Sequence, residues 1–217
     1  MIYNTPMNIL LFGGSFNPPH LGHEIVIRQA FELIPNIDEL WLLPTYSHAF
    51  GKDLAPAPHR IQMCNLLINS CRSNDFLTQE SERSQIKKNN CVERIKVCSL
   101  EIDHQTSGST HESLKLLKKT YPTHTFSFLM GSDQLPSFNK WKNYQQLLKE
   151  MPFYVYPRGS HQHNITYPHM TLLESSTQVI TNISSTLIRN RIKTNLPIDH
   201  ILPSSILTYL TTHHLYF

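Results

Sequence analysis

Residues 8–23 read NILLFGGSFNPPHLGH, and their pattern predicts how the chain folds around them. This stretch opens with the almost continuously apolar run NILLF, which ends at a pair of glycines. A short apolar run of this kind is typical of a strand that is buried on both faces of a parallel sheet. After Pro18 and Pro19, apolar residues recur at helical spacing from Leu21 to Ile34, and Pro35 ends the pattern. The stretch therefore predicts a buried strand, a glycine turn and an amphipathic helix.

The same alternation continues along the chain. Buried strands are predicted at 39–43, 126–130 and 153–156, and weaker extended segments at 95–102, 171–173 and 178–180. Helices are predicted at 60–71, 110–121, 141–149, 184–193 and 203–213, whereas the polar residues 81–94 predict a loop or an insertion. Strands that alternate with helices indicate an α/β fold, a Rossmann-like open twisted parallel sheet with helices on both faces. Because ligands of such sheets bind beyond the carboxyl ends of the strands, we expect the loops after residues 12, 43, 130 and 156 to line one site.

Composition restricts the classes of function. The chain has 217 residues, and its 19 Lys and Arg against 16 Asp and Glu give a net charge of +3. This charge is too small to indicate a nucleic-acid-binding protein. No apolar run approaches the ~18 residues that span a bilayer, and no secretory signal is evident, so we expect a cytoplasmic protein without a membrane partner. The four cysteines include no C-x-x-C pair, which predicts reduced thiols. The pattern leaves the oligomeric state open.

Residues 13–23 have the residue types of a phosphate-binding turn. Paired glycines let the backbone approach a ligand closely, and the free N–H groups of a helix N-terminus attract anions. His20 and His23 are three residues apart and therefore share a face of the first helical turn. The segment has neither the lysine of a P-loop nor the G-x-G-x-x-G of a dinucleotide site. A glycine turn with two incidental histidines is one alternative, and a zinc pair is another, although no third zinc ligand is evident.

Residues 183–189, ISSTLIR, predict a second anion site. Ser184 or Ser185 can cap a helix here, and the hydroxyls, the free N–H groups and Arg189 one turn later can hold phosphate. The alternative is an ordinary serine-capped helix with a surface arginine. Two further side chains are candidates for ligand contacts. Asp133 follows a predicted strand and can accept hydrogen bonds from ribose hydroxyls, and the flat indole of Trp141 suits an aromatic ring, with core packing as its alternative.

The two motifs together resemble a known family. Residues 13–23 resemble the G-G-[ST]-F-[DN]-P-x-H-x-G-H signature of the nucleotidyltransferase α/β-phosphodiesterase superfamily, and residues 183–189 are similar to its I-S-S-T-x-I-R segment, which closes over the ATP phosphates. Within that superfamily the chain most resembles the nicotinate-mononucleotide adenylyltransferases, from about residue 8 onward. The resemblance implies that ATP and a pyridine mononucleotide are the substrates and that deamido-NAD and pyrophosphate are the products. It also implies Mg²⁺ bound with ATP, with no dedicated metal ligands in the chain.

The resemblance assigns roles to individual residues and to the chain as a whole. We expect residues 1–217 to form a single nucleotidyltransferase domain in which the helical portion 184–217 closes the ATP site. The expected catalytic residues are His20, His23 and Arg189. The expected ATP-binding residues are Gly13, Gly14, Ser15, Phe16, Gly22, Gly131, Asp133, Arg158, Ile183, Ser184, Ser185 and Thr186. The expected acceptor-binding residues are His48, Lys52, Ser109, Thr110 and Trp141.

Two segments depart from the family pattern. The family's S-Y-T-x-x-T-L segment is GSTHESL at 108–114, so that Ser109 stands at the tyrosine position, and its P-P-H-K loop is SHAFGK at 47–52. The first departure motivates a different acceptor, such as nicotinamide mononucleotide or phosphopantetheine. Two further functions are compatible with the motifs, namely a cytidylyltransferase and a nucleotide-binding module without catalysis.

Overall fold

The strand β1 (Asn8–Gly14) lies inside a parallel sheet because its side chains are apolar on both faces. The structure is a computed structural model that describes residues 5–47, 51, 53–73, 91–159 and 165–217. Within these ranges six strands form one sheet in the order β3-β2-β1-β4-β5-β6, and every neighbouring pair is parallel. The other strands are β2 (Glu39–Pro44), β3 (Ile95–Val97), β4 (Thr125–Gly131), β5 (Phe153–Tyr156) and β6 (Met170–Leu172).

Helices cover both faces of this sheet, which confirms the predicted Rossmann-like α/β fold. The helices are α1 (Leu21–Leu33), α2 (Ala57–Ser73), α3 (Leu100–Asp103), α4 (Thr110–Thr120), α5 (Tyr144–Glu150), α6 (Ser185–Lys193) and α7 (Ser204–Thr212). Two 3₁₀ segments lie at Cys91–Arg94 and Ser132–Lys140. Leu10 and Phe12 of β1 face a core with α1, α2, α6 and α7, whereas Ile9 and Leu11 face a core with α3, α4 and α5. None of the helices in the described ranges has the length and apolarity that crossing a membrane requires.

Three predicted elements differ from the observed ones. The strand predicted at 95–102 ends at Val97, because the N–H groups of Ile102 and Asp103 bond to the Ser99 carbonyl and begin α3. The helix predicted at 141–149 begins only at Tyr144. Residues 178–180 form no strand, since the Val179 N–H donates to the side chain of Gln29 instead of to a neighbouring strand. Of the predicted loop at 81–94, residues 81–90 lie outside the described ranges.

A buried arginine joins the loops at the carboxyl end of the sheet. Arg60 on α2 is 1% exposed. Its guanidinium donates to the carbonyl of Ala55 at 2.9 Å, of Ser15 at 3.1 Å and of Thr45 at 2.7 Å. Burial lowers the pKa of Arg60 from its usual value. The loops that follow β1 and β2 are therefore held together by one cation that bonds to backbone carbonyls.

We predict that Arg60→Met destabilises the fold by roughly 2–4 kcal/mol, because three partly buried carbonyls lose their donor while relief of the buried charge offsets only part of the loss. Urea denaturation measures this difference. The control is Arg191→Met on α6, where a guanidinium makes one exposed bond to Pro197, and we expect it to cost below about 1 kcal/mol. Equal losses in the two variants would contradict the role assigned to Arg60.

Candidate active site

A cavity of about 630 Å³ opens at the carboxyl ends of the strands. The loops after β1, β2, β4 and β5 all contribute to its wall, through residues such as Ser15, Thr45, Asp133 and Arg158. This arrangement confirms the expectation that these four loops line one site. It follows from the parallel sheet, since the carboxyl ends of parallel strands meet at the same edge.

His20 and His23 lie side by side in the cavity wall at the N-terminus of α1. Their ring centroids are 3.8 Å apart, and the His20 side chain is buried. The backbone N–H of His20 donates to Nδ1 of His23 at 3.1 Å. That nitrogen is therefore an acceptor, and in the neutral ring the proton resides on Nε2, where it is available to a ligand. Nδ1 of His20 is buried without a hydrogen-bond partner among the described residues.

Gly22, between the two histidines, occupies a position where a side chain would not fit. A Cβ at Gly22 would lie 2.9 Å from Nδ1 of His20 and 3.4 Å from Cβ of Ile183. The contact with Ile183 is an ordinary van der Waals distance, whereas the contact with His20 is too short and would displace the imidazole. Gly22 therefore leaves room for the His20 ring in the cavity wall.

Both histidines are held neutral at neutral pH. Burial, and then the charges of His23 and Arg158, lower the pKa of His20 well below its usual value. Burial and the charge of Arg158 lower the pKa of His23 to about 3. At neutral pH the site therefore presents imidazole N–H donors with no positive charge of their own, and only the phosphates of a ligand would favour their protonation.

The second motif is attached directly to the first. Ser184 caps α6, and its Oγ accepts the N–H of Leu187 at 3.2 Å. Ser185 Oγ donates to the carbonyl of Pro18 at 2.8 Å, and Nη1 of Arg189 donates to the carbonyl of Asn17 at 2.7 Å. The N-termini of α1 and α6 therefore meet at one wall of the cavity, although about 160 residues separate them in the chain.

Arg158 connects this wall to the end of β4. Its Nη1 lies 3.8 Å from Oδ1 of Asp133, and its Nη2 donates to the carbonyl of Ile183. The backbone N–H of Arg158 donates to Oγ of Ser132 at 2.9 Å. Oδ1 of Asp133 is buried and makes no hydrogen bond with any described residue. Oδ1 of Asp133 is therefore paired with the Arg158 guanidinium in the wall of the cavity.

Trp141 also lines the cavity, and the wall around it is the Trp141 end. The indole is half-buried and lies 5.9 Å from the Phe128 ring and 5.2 Å from the Phe138 ring, centroid to centroid. Ser109 is the N-cap residue of α4, and its buried Oγ makes no hydrogen bond within the described residues. Together with Thr110, these residues give this end of the cavity an aromatic surface and a helix N-terminus.

Nearly all of the predicted site residues line the same cavity. Ile183 stands behind the wall, where it contacts Gly22 and Arg158, and Phe16 is a buried lining residue whose ring lies 5.1 Å from that of His23. His48 and Lys52 lie outside the described residues. The remaining predicted residues that line the cavity are Gly13, Gly14, Ser15, His20, Gly22, His23, Ser109, Thr110, Gly131, Asp133, Trp141, Arg158, Ser184, Ser185, Thr186 and Arg189.

The sequence predictions lack several lining residues that can carry charge. Lys140 and Lys142 flank Trp141 and bring positive charge to its end of the cavity. Both are adjacent in sequence to a predicted site residue, so the sequence could have identified them. Glu101 is buried, its Oε1 accepts from Ser113 Oγ at 2.6 Å, and its Oε2 makes no hydrogen bond in the described ranges. Burial raises the pKa of Glu101. No sequence signal identifies it, because it falls in a segment whose pattern predicts a strand.

Comparisons with known proteins agree with this geometry. The chain matches the cytidylyltransferase-like family over residues 11–191. Probable nicotinate-nucleotide adenylyltransferases from Bacillus pumilus and Flavobacterium johnsoniae are each 30% identical to it, over 95% and 97% of this chain and 96% and 99% of theirs. The structure of Plasmodium falciparum nicotinic acid mononucleotide adenylyltransferase complexed with NaAD is 23% identical, has a TM-score of 0.76 and covers 97% of each chain, so that the two share a fold.

We predict that neutral His23 makes the fold sensitive to acid. Its pKa in the folded chain is about 3 and its usual value is 6.5, so the unfolded chain takes up the proton first as the pH falls. Stability is therefore complete above pH 6.5 and declines between pH 6.5 and pH 3. His23→Asn should remove about 1 kcal/mol of the stability lost between pH 7.5 and pH 5.5.

Denaturant titrations at the two pH values test this expectation. The exposed His200→Asn variant is the control and should show the full wild-type loss. A His23→Asn protein that loses as much stability as the wild type would show that His23 is not held neutral.

Proposed function

The chain belongs to the cytidylyltransferase-like family and, within it, to the nicotinate-nucleotide adenylyltransferases, and we propose that its cavity transfers the adenylyl group of ATP to nicotinate mononucleotide. The family places the chain among the nucleotidyltransferases of NAD biosynthesis. In this reaction an oxygen of the acceptor's 5′-phosphate bonds to the α-phosphorus of ATP. The bond from that phosphorus to the bridging oxygen breaks, and pyrophosphate leaves. Deamido-NAD is the other product.

One observation carries the proposal: the convergence of the α1 and α6 N-termini on one cavity wall. Helix N-termini favour anions, and here two of them, with two imidazoles and an arginine, face the same space. A chain of phosphates needs several donors along its length, and a single helix tip supplies only a few. The geometry therefore supports a triphosphate better than an isolated phosphate group.

The reaction needs no nucleophile from the protein, because the acceptor phosphate is already one. The protein contributes orientation and stabilisation of the charge that develops on the phosphates. We assign the α- and β-phosphates to His20 and His23 and the β- and γ-phosphates to Arg189, Ser184, Ser185 and Thr186. Arg189 uses Nη1 for Asn17 and Nη2 for Thr186, and the guanidinium has further N–H donors for phosphate.

Mg²⁺ enters this proposal as part of the ATP substrate. Within the part of the chain that the structure describes, no group of three or more His, Cys, Asp or Glu side chains could hold a metal ion. The donors that line the α1 and α6 tips are N–H and hydroxyl groups, which suit phosphate oxygens. Mg²⁺ commonly keeps several waters and binds through substrate phosphates. A site whose donors hold the phosphates is compatible with this mode of Mg²⁺ binding.

The Trp141 end of the cavity suits a pyridine mononucleotide. The indole offers a flat surface to the pyridine ring, and Lys140 and Lys142 offer positive charge to an acidic acceptor. Ser109 is the N-cap and Thr110 the first residue of α4, whose N-terminus also favours an anion. These three features support nicotinate as the base.

Glu101 Oε2 is the feature that favours the second candidate, nicotinamide mononucleotide, because a carboxylate oxygen can accept from an amide N–H.

The domain and its location complete the proposal. We propose that residues 1–217 act as one nucleotidyltransferase domain in which residues 184–217 close the ATP site. The packing of α6 and α7 in the same core as α1 and α2 supports this arrangement. Cys64 and Cys98 are buried free thiols, which supports a reducing compartment such as the cytoplasm.

We predict that His23→Ala lowers kcat by about 10²–10³, the usual effect of removing one preorganised donor from a charge-stabilising site. The fold should survive at pH 7.5, because the ring lines the cavity and belongs to neither of the two hydrophobic cores. Steady-state pyrophosphate release beside a circular dichroism melt measures both quantities, and His200→Ala serves as the exposed control. Turnover close to that of the wild type would remove His23 from the mechanism.

We predict that the enzyme prefers nicotinate mononucleotide to nicotinamide mononucleotide by about tenfold or more in kcat/KM, because one neutralised carboxylate contributes on the order of 1.4 kcal/mol. The test measures pyrophosphate release with ATP and each acceptor, with phosphopantetheine and with CTP in place of ATP. Replacing both Lys140 and Lys142 by Ala should reduce the preference, whereas Lys118→Ala, which removes an exposed ion pair with Glu150, should not. A preference for nicotinamide mononucleotide would contradict this prediction and would indicate that Glu101 contacts the amide of the pyridine ring.

A further inference from the structure

The side chain of Asn17, in the first motif, is fixed by three hydrogen bonds from distant parts of the chain. Its Oδ1 accepts from the Ala55 N–H at 2.9 Å and from the Tyr216 hydroxyl at 2.6 Å. Its Nδ2 donates to the carbonyl of Asp53 at 3.1 Å. The orientation of the amide is unambiguous, because a backbone N–H needs an acceptor and a carbonyl needs a donor. Tyr216 therefore donates its proton to Asn17.

The backbone of the same segment holds the second motif. The carbonyl of Asn17 accepts from Arg189, and the next carbonyl, of Pro18, accepts from Ser185. The carbonyl that receives Arg189 thus belongs to the residue whose side chain receives Tyr216. A shift of Asn17 would move the anchor of Arg189 by a similar distance.

Tyr216 is suited to hold this position. Burial raises the pKa of its hydroxyl, so the group keeps its proton at neutral pH. Its backbone has φ of +72°, a left-handed value that costs energy in a residue other than glycine. Its half-buried ring packs against the core that contains α1 and α6. The contact with Asn17 is therefore part of a defined structure in which the chain turns back toward the first motif.

We propose that Tyr216 is a positioning residue of the ATP phosphate site, which fixes Asn17 and through its backbone carbonyl fixes Arg189. This inference rests on the proposed function, because it assigns the ATP phosphates to Arg189. Tyr216 is not among the residues that line the cavity, so it acts through Asn17 and needs no contact with substrate.

A second tyrosine provides a matched control. The Tyr209 hydroxyl on α7 lies 2.9 Å from Nδ1 of His59 on α2, and this pair joins two helices without touching either motif. Tyr209→Phe and Tyr216→Phe each remove one hydroxyl and one hydrogen bond and keep the ring. A general loss of packing against the core that both tyrosines contact would affect both variants alike, whereas positioning of Arg189 is affected only by Tyr216→Phe.

The experiment measures the Kd of ATP with Mg²⁺ by titration calorimetry, without acceptor, and then the KM of each substrate. We expect Tyr216→Phe to raise the Kd and the KM of ATP about fivefold, the effect of one lost hydrogen bond, and to leave the KM of nicotinate mononucleotide unchanged. Tyr209→Phe should leave all three values unchanged. A Kd of ATP in Tyr216→Phe equal to that in Tyr209→Phe, or an equal rise in both KM values, would overturn the proposal.

A double-mutant cycle with Arg189→Lys identifies the route of the effect. Lysine lacks the planar fork that holds Asn17 and reaches phosphate at once, so Tyr216→Phe should change the Kd of ATP less than about twofold in that background. A full fivefold change there would show that Tyr216 does not act through Arg189. Because ATP binding is measured without acceptor, absence of turnover with nicotinate mononucleotide would count against the proposed function alone.

Discussion

The hydrogen bonds from α6 to the Asn17–Pro18 backbone are the contacts on which the site depends. Arg189 and Ser185 reach two consecutive carbonyls, and these contacts bring a second helix N-terminus to the wall that His20 and His23 already occupy. A carbonyl that accepts from a charged guanidinium makes a stronger bond than one that accepts from a neutral donor. The same arginine retains N–H donors for a ligand, so one side chain both closes the wall and presents charge to the cavity.

The electrostatics of the site favour an anionic ligand. Burial and Arg158 keep His20 and His23 neutral, so the histidines do not add to the positive charge of the arginines. A triphosphate would supply negative charge at short range. Each imidazole would then donate a hydrogen bond to a phosphate oxygen, and the negative charge would raise the pKa of the ring. Arg60 bonds to backbone carbonyls behind the wall, where it fixes the loops without competing for phosphate. Positive charge that faces the ligand and positive charge that holds the scaffold are thus on different side chains.

Local patterns predicted much of this structure, and distant contacts explain the rest. The apolar runs predicted β1, β2, β4 and β5, because strands buried on both faces must be apolar throughout. The residues of the two helix tips were also predictable, since each set lies within a few positions in sequence. Tyr216 and Arg60 were not, because their roles depend on partners such as Asn17 and Ser15 that only the folded chain brings near. Glu101 was missed because the sequence pattern predicts one strand over residues 95–102. In the structure β3 has only three residues, and Glu101 lies on the helix α3 that follows it.

The contacts at Asn17 join segments that are far apart in the sequence. Arg189 meets Asn17 across 172 residues, and Tyr216 meets it across 199. Bringing such distant segments together carries a loop-closure cost that grows slowly with length, so the core of β1, α1, α2, α6 and α7 must offset it before any ligand binds. That core holds the two helix tips in place, and the hydrogen bonds at Asn17 and Pro18 then set their separation. Binding energy for ATP is therefore not spent on ordering the wall, which is the condition under which donors stabilise a transition state effectively.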